Sequence, residues 1–213
     1  MDCVDLSLKK LYRSCRSWCE QIKPAYAPEL VIYIARGGYI IGRAMQAGFE
    51  VPLVGIGAAR QGNSIKEYMF PILAVMPRKI CNAMRRMEVR SGVHQRQSDR
   101  QIRFHKELAN IANPNAVTKI LLVDDSIDTG HSMRQVREHV ARKFPHAEIR
   151  IFVLNEMTSQ QPVIRADYVL YRDTALRTPM SKDSREHYTF KKLYRNRYQG
   201  KRKARRDYFE VYT

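Results

Sequence analysis

Residues 119–133 read KILLVDDSIDTGHSM. Ile120, Leu121, Leu122 and Val123 form an apolar run with the length and branching of a strand covered on both faces, and acidic residues begin where it stops. Asp124, Asp125 and Asp128 fall within five residues of one another, followed by Thr129, Gly130, His131 and Ser132. Met133, Val136, Val140 and Phe144 then repeat at helical spacing. The expected unit is a buried strand ending at Val123, an acidic loop, and a helix opened by that loop.

Each part of this unit has a chemical use. Gly130 lets the backbone turn tightly, and the hydroxyls of Thr129 and Ser132 join the free amides of a helix N-terminus to make a place for a phosphate. The carboxylates would repel that phosphate. They suit the vicinal hydroxyls of a sugar, a magnesium ion held through oxygen, or a developing positive charge. An ordinary helix start with an acidic cap explains one carboxylate and leaves the others repelling each other. A phosphorylated sugar satisfies both halves.

VDDSIDTGHSM resembles the phosphoribosyl diphosphate (PRPP) binding loop of the type I phosphoribosyltransferases, in which two adjacent acids are followed three positions later by Asp-Thr-Gly. In motif it is most similar to the bacterial purine enzymes acting on xanthine, guanine or hypoxanthine. The resemblance implies that Asp124 and Asp125 hold the ribose hydroxyls and, partly through PRPP, Mg2+. It implies that Asp128, Thr129, Gly130, His131 and Ser132 hold the 5′-phosphate, with Asp128 also the catalytic residue that assists proton transfer to or from a purine-like acceptor. The fold implied is an α/β, Rossmann-like open sheet, mostly parallel and flanked by helices. The reaction implied is transfer of a 5-phosphoribosyl group from PRPP to a nitrogenous acceptor, of purine type, with release of diphosphate.

A second loop supports this reading. Leu30 to Ala35 (LVIYIA) is an apolar strand, followed by Arg36, Gly37 and Gly38 and by a helix expected over Tyr39 to Gln46 that Gly48 can close. Two glycines after an arginine let amides approach an anion closely. Standing 88 positions before the acidic loop, Arg36, Gly37 and Gly38 resemble the short loop through which the family grips the diphosphate. The family's non-proline cis peptide is then expected at Arg36–Gly37.

Around these loops the chain reads as follows. Leu8, Leu11, Tyr12, Cys15, Cys19 and Ile22 form the stripe of an amphipathic first helix, with Trp18 in its packing. Strands are expected at Val51 to Ile56, Glu148 to Leu154 and Asp167 to Tyr171. Residues 60–118 read as a helical or flap-like insertion interrupted by Pro71 and Pro77, and Arg78, Lys79, Arg85, Arg86 and Arg90 could contact diphosphate or a larger anion. Purine-using relatives commonly follow the fourth strand with a base-binding lysine and stack an aromatic residue near the fifth. The matching positions here are Asn155 and Tyr168, the expected acceptor-binding residues, while the two tryptophan positions of the base segment are Ala175 and Met180.

Composition bounds the rest. Cys3, Cys15, Cys19 and Cys81 lack zinc-ligand spacing, so reduced thiols are expected. No apolar run has the length to cross a bilayer, so no membrane partner and a cytoplasmic setting are expected. The formal net charge of +17 exceeds what one diphosphate needs. Residues 60–118 and 181–213 each carry 11 Lys and Arg against 4 Asp and Glu, the latter with interleaved aromatics. The expected organisation is a phosphoribosyltransferase-like domain over 1–180 and a basic aromatic extension over 181–213, assembled as a homodimer. Two alternatives stay open: a PRPP-binding regulator associated with nucleic acid, and a transferase acting on a nucleic-acid or nucleotide acceptor.

Overall fold

The computed structural model describes residues 3–60 and 100–198. In chain order its elements are β1 (Cys3–Asp5), α1 (Leu8–Ile22), β2 (Leu30–Ala35), α2 (Tyr39–Phe49), β3 (Leu53–Arg60), β4 (Arg100–Phe104), β5 (Lys119–Ile127), α3 (His131–Lys143), β6 (Glu148–Glu156), β7 (Tyr168–Arg172), β8 (Ala175–Arg177) and α4 (His187–Arg195), with short 3-10 turns between some of them. The insertion expected over residues 60–118 falls mostly outside the described residues, as do Arg78, Lys79, Arg85, Arg86, Arg90 and Cys81.

The main sheet has the order β4-β3-β2-β5-β6-β7, parallel throughout except for β4, which runs antiparallel to β3 at the edge. Alternation along the strands divides the core in two. Val31, Tyr33, Leu121, Val123, Phe152 and Leu154 face α1, α2 and Phe190 of α4. Ile32, Ile34, Ile120, Leu122, Ile151 and Val153 face Met133, Val136, Val140 and Phe144 on the α3 side. A sheet covered on both faces explains why its strands are continuous apolar runs. The mostly parallel α/β fold expected from the sequence is the one observed.

The first helix forms as its stripe indicates. Ser7 Oγ accepts from the Lys10 amide at 3.2 Å as N-cap, and all six stripe residues are buried. Trp18 meets Phe152 edge-on at 5.7 Å. Several boundaries differ from expectation. α2 runs on to Phe49 and ends at Glu50, in the left-handed region (φ 61°), so Gly48 does not close it. Gly48 lies where α2 crosses α1, and a Cβ there would stand 2.4 Å from Cys19 Sγ. β3 begins after Pro52, which has no amide to give a ladder. β5 continues through the acids to Ile127, which is buried against the α3 side, so Asp124 and Asp125 sit on the end of a strand. The antiparallel edge β4 and the small parallel pair β1–β8 were not expected, since neither carries an apolar run of its own.

Candidate active site

The chain leaves β2 toward β3 on one side, and β5 leads to β6 and β7 on the other, so strand order reverses between β2 and β5. Crevices beyond the carboxyl ends of parallel strands at such a reversal collect ligands. Both candidate loops emerge there. A Cβ on Gly37 would stand 2.5 Å from Asp125 Cγ and Oδ1, so the backbone of the Arg36–Gly38 turn lies directly against the Asp125 carboxylate. A Cβ on Gly38 would stand 2.4 Å from the Val123 carbonyl. The two loops, 88 residues apart in sequence, thus form one surface.

The glycine turn is tied to its neighbours. The Gly38 amide donates to the Ile34 carbonyl at 2.8 Å and the Tyr39 amide to the Arg36 carbonyl at 3.2 Å. The non-proline cis peptide is present, but at Ala35–Arg36 and not at Arg36–Gly37. Parallel pairing of β2 with β3 runs through Ala35 opposite Gly57, so the chain changes direction at the last paired residue.

In the acidic segment the Asp125 amide donates to Asp124 Oδ1 at 2.9 Å. Withdrawal from water pushes the Asp125 carboxyl above the ordinary carboxylate range; its hydrogen bond with Asp124 opposes the rise and the negative charge of Asp128 adds to it. Gly130 takes φ +77° as N-cap of α3, and the first turn of that helix contains no acid. An α-helix leaves its first amides without intrahelical partners, and no carboxylate within the first turn of α3 caps them. His131 Nδ1 is buried and makes no hydrogen bond. Residues 163 and 164, which no local pattern marked, support this turn from below. The Val163 amide donates to the Thr129 carbonyl at 3.0 Å, and Gly130 packs on the Ile164 backbone.

The acceptor side is arranged differently. Asn155 lies at the end of β6, level with Ser126, but its amide is turned inward: Nδ2 donates to the Thr174 carbonyl at 2.8 Å. Glu156 beside it is fully buried, accepting from the Ala166 amide at 2.9 Å and from Arg172. Asp173, in the left-handed region, accepts from Thr158. Tyr168 stands one residue short of the level of Asp124, and its hydroxyl accepts from Arg150 Nη1 at 2.9 Å. Arg150 pairs opposite Leu121, so the Tyr168 ring leans away from the acidic segment. The structure therefore brings Arg36, Gly37, Gly38, Asp124, Asp125, Asp128 and the 129–132 turn together, and leaves the side chains of Asn155 and Tyr168 out of that group.

One contribution comes from beyond residue 180. Tyr39, first residue of α2, meets Tyr194 of α4 edge-on at 5.4 Å, and Arg197 stacks over Tyr194 at 3.8 Å. Withdrawal from water raises the Tyr194 hydroxyl, while the positive charges of Arg197 and Arg36 pull against it. The C-terminal segment thus reaches the back of the glycine turn.

The architecture is an open, mostly parallel α/β sheet with both candidate loops gathered at its strand reversal. The family model for the phosphoribosyl transferase domain matches residues 6–175, and the chain belongs to that family. It is accordingly a phosphoribosyltransferase. Among solved structures, a purine phosphoribosyltransferase from Pyrococcus horikoshii matches with a TM-score of 0.56 at 19% identity, over 84% of this chain and 93% of that one. A xanthine-guanine-hypoxanthine phosphoribosyltransferase from Helicobacter pylori gives 0.56 at 16%, over 90% and 97%. A Neisseria gonorrhoeae hypothetical protein with bound ppGpp gives 0.52 at 14%, over 92% and 98%. At such identities the likeness is one of fold. No curated protein sequence matches the chain. Among the described residues, no helix is long and apolar enough to cross a membrane.

Proposed function

We propose that this enzyme transfers the 5-phosphoribosyl group of PRPP to a purine-type base and releases diphosphate. The observation that carries this reading is the contact of the Gly37 turn with Asp125 at the strand reversal. This contact supports reading the Arg36 to Gly38 turn as a diphosphate cradle, Asp124 and Asp125 as sugar-binding carboxylates, and the start of α3 as a phosphate turn.

The geometry divides the work. The amides of Thr129 to Ser132 hold the 5′-phosphate, and Asp124 and Asp125 bind the ribose hydroxyls. The Arg36 to Gly38 turn holds the diphosphate. With both anionic ends restrained, the carboxylates stabilise the positive charge that develops at the anomeric carbon as the bond to diphosphate lengthens, so catalysis is mainly positioning and electrostatics. Asp128 takes or returns a proton at the acceptor nitrogen.

The donor set suits magnesium. Two adjacent carboxylates are present, and among the described residues no group of three or more His, Cys, Asp or Glu side chains forms a metal cage. Mg2+ is commonly bound by one or two carboxylates plus substrate phosphates. Asp124 and Asp125 would hold it with PRPP, and when bound it neutralises charge on the leaving diphosphate.

A second reading, a PRPP-responsive regulator, is favoured by the inward-turned amide of Asn155 at the position where relatives carry a base-binding lysine. One assay separates the two: diphosphate release from PRPP and Mg2+ in the presence of hypoxanthine, guanine, xanthine or adenine. Turnover with at least one of these is expected; saturable PRPP binding with no turnover of any of them would establish the regulator instead.

A further inference from the structure

The site above does not account for the positive charge carried by α1 and α4. Glu186 is the N-cap residue of α4, and its Oε2 accepts from the Leu8 amide at the start of α1 at 2.6 Å. The N-termini of two helices therefore meet at one hydrogen bond. Lys9, Lys10, Arg185 and Tyr188 are each within two residues of it, and consecutive Cα atoms are only about 3.8 Å apart, so all four belong to one patch.

The acids of the patch are each engaged by a partner, although the Asp5 side chain stays half exposed. Asp5 accepts from Arg177 Nη1 at 2.7 Å and Asp183 from Arg177 Nε at 2.9 Å, while Glu186 is engaged by Leu8. Within 177–198 no other acid occurs, and α1 carries none before Glu20. Lys9, Lys10 and Arg13 are exposed on α1, with Lys9 and Arg13 one turn apart. On α4, Tyr188, Lys192 and Arg195 are exposed at i, i+4 and i+7, a single outward stripe. Tyr188 is 79% exposed.

We propose that this α1–α4 face is a docking surface for single-stranded nucleic acid, with the lysines and arginines on phosphates and Tyr188 stacked on an unpaired base. A row of cations flanking an exposed ring is the combination that follows a flexible strand, in which phosphates give affinity and each base offers a face. The proposal does not depend on the acceptor chosen at the PRPP site.

The test is fluorescence anisotropy of the full chain with a labelled 20-nucleotide oligouridylate over a salt series. Lys9→Glu/Lys10→Glu on α1 and Lys192→Glu/Arg195→Glu on α4 should each weaken binding at least tenfold. The corresponding alanine pairs, which also serve if charge reversal lowers the melting temperature, should make the plot of log K against log salt shallower by about 0.7 per lost phosphate contact. Tyr188→Ala should weaken binding by about 5- to 150-fold. Arg137→Glu/Arg142→Glu, exposed on α3 across the sheet, should bind as wild type. The proposal is overturned if the α1 variants bind as wild type, which would leave binding to the basic sequence at 201–206. It is equally overturned if Tyr188→Ala has no effect, which would mean charge alone, or if the oligonucleotide does not bind.

Discussion

Gly37→Ala isolates the contact on which the site reading depends. Gly37 is outside the left-handed region, so alanine suits its backbone and adds only one methyl group. That methyl would stand 2.5 Å from Asp125 Cγ and Oδ1 and 2.7 Å from Oδ2, whereas ordinary contact begins at 3.4 Å. Either the carboxylate swings away or the turn retreats, by about 0.9 Å, and a displacement near 1 Å at a reacting centre costs on the order of 100-fold in rate. Expressed as barrier height this is about 2.7 kcal/mol. The assay is the initial rate of PRPP-dependent diphosphate release, giving kcat/KM for PRPP, with thermal melting to confirm the fold. Gly57→Ala is the control: its nearest contact would be 3.5 Å from His105 Nε2, an ordinary distance, so its kcat/KM should be unchanged. A Gly37→Ala enzyme within threefold of wild type would refute the apposition of the two loops as a working feature.

Gly38→Ala would press on the Val123 carbonyl at 2.4 Å, a backbone atom that cannot swing aside, so it should lower stability by about 1–3 kcal/mol in urea unfolding. Asp125→Asn should raise the melting temperature of the ligand-free protein at pH 7. The folded-state pKa of Asp125 is raised, so its stabilising contribution is complete below the unfolded carboxyl value of about 3.9 and is lost as pH rises through the folded value. The variant's advantage should therefore vanish near pH 3.5; a neutral-pH melting temperature equal to wild type would contradict the assignment. Phe190→Ala removes a ring that is 2% exposed in the α1–α2 core and should cost about 3–5 kcal/mol, measured by denaturant unfolding. A loss under 1 kcal/mol would mean that α4 is only loosely attached.

How far the sequence could be read depended on whether a feature is local. The strand at 120–123 and the helix stripe from Leu8 to Ile22 are contiguous or periodic patterns, and each appears where expected. The ends of elements were less legible because tertiary pairing decides them. β5 carries its acids further along a ladder with β6, since Ser126 and Ile127 still pair with Asn155 and Glu156. Likewise α2 outlasts Gly48, because close packing on Cys19 requires glycine there and turn formation does not. Asn155 and Tyr168 show the limit of aligning a motif. Their positions along the strands are near those expected, but the direction of each side chain is set by Thr174 and Arg150, which no local pattern connects to them. The support of Tyr194 behind the glycine turn is likewise a contact between residues 155 positions apart.

The central claim is that PRPP docks at the strand reversal with its ribose against Asp124 and Asp125. Isothermal titration calorimetry of PRPP with Mg2+ into the wild-type protein and into Asp124→Asn/Asp125→Asn tests it most directly. A saturable heat with wild type and none with a folded double variant is the predicted result; equal PRPP affinity in the two proteins would contradict it.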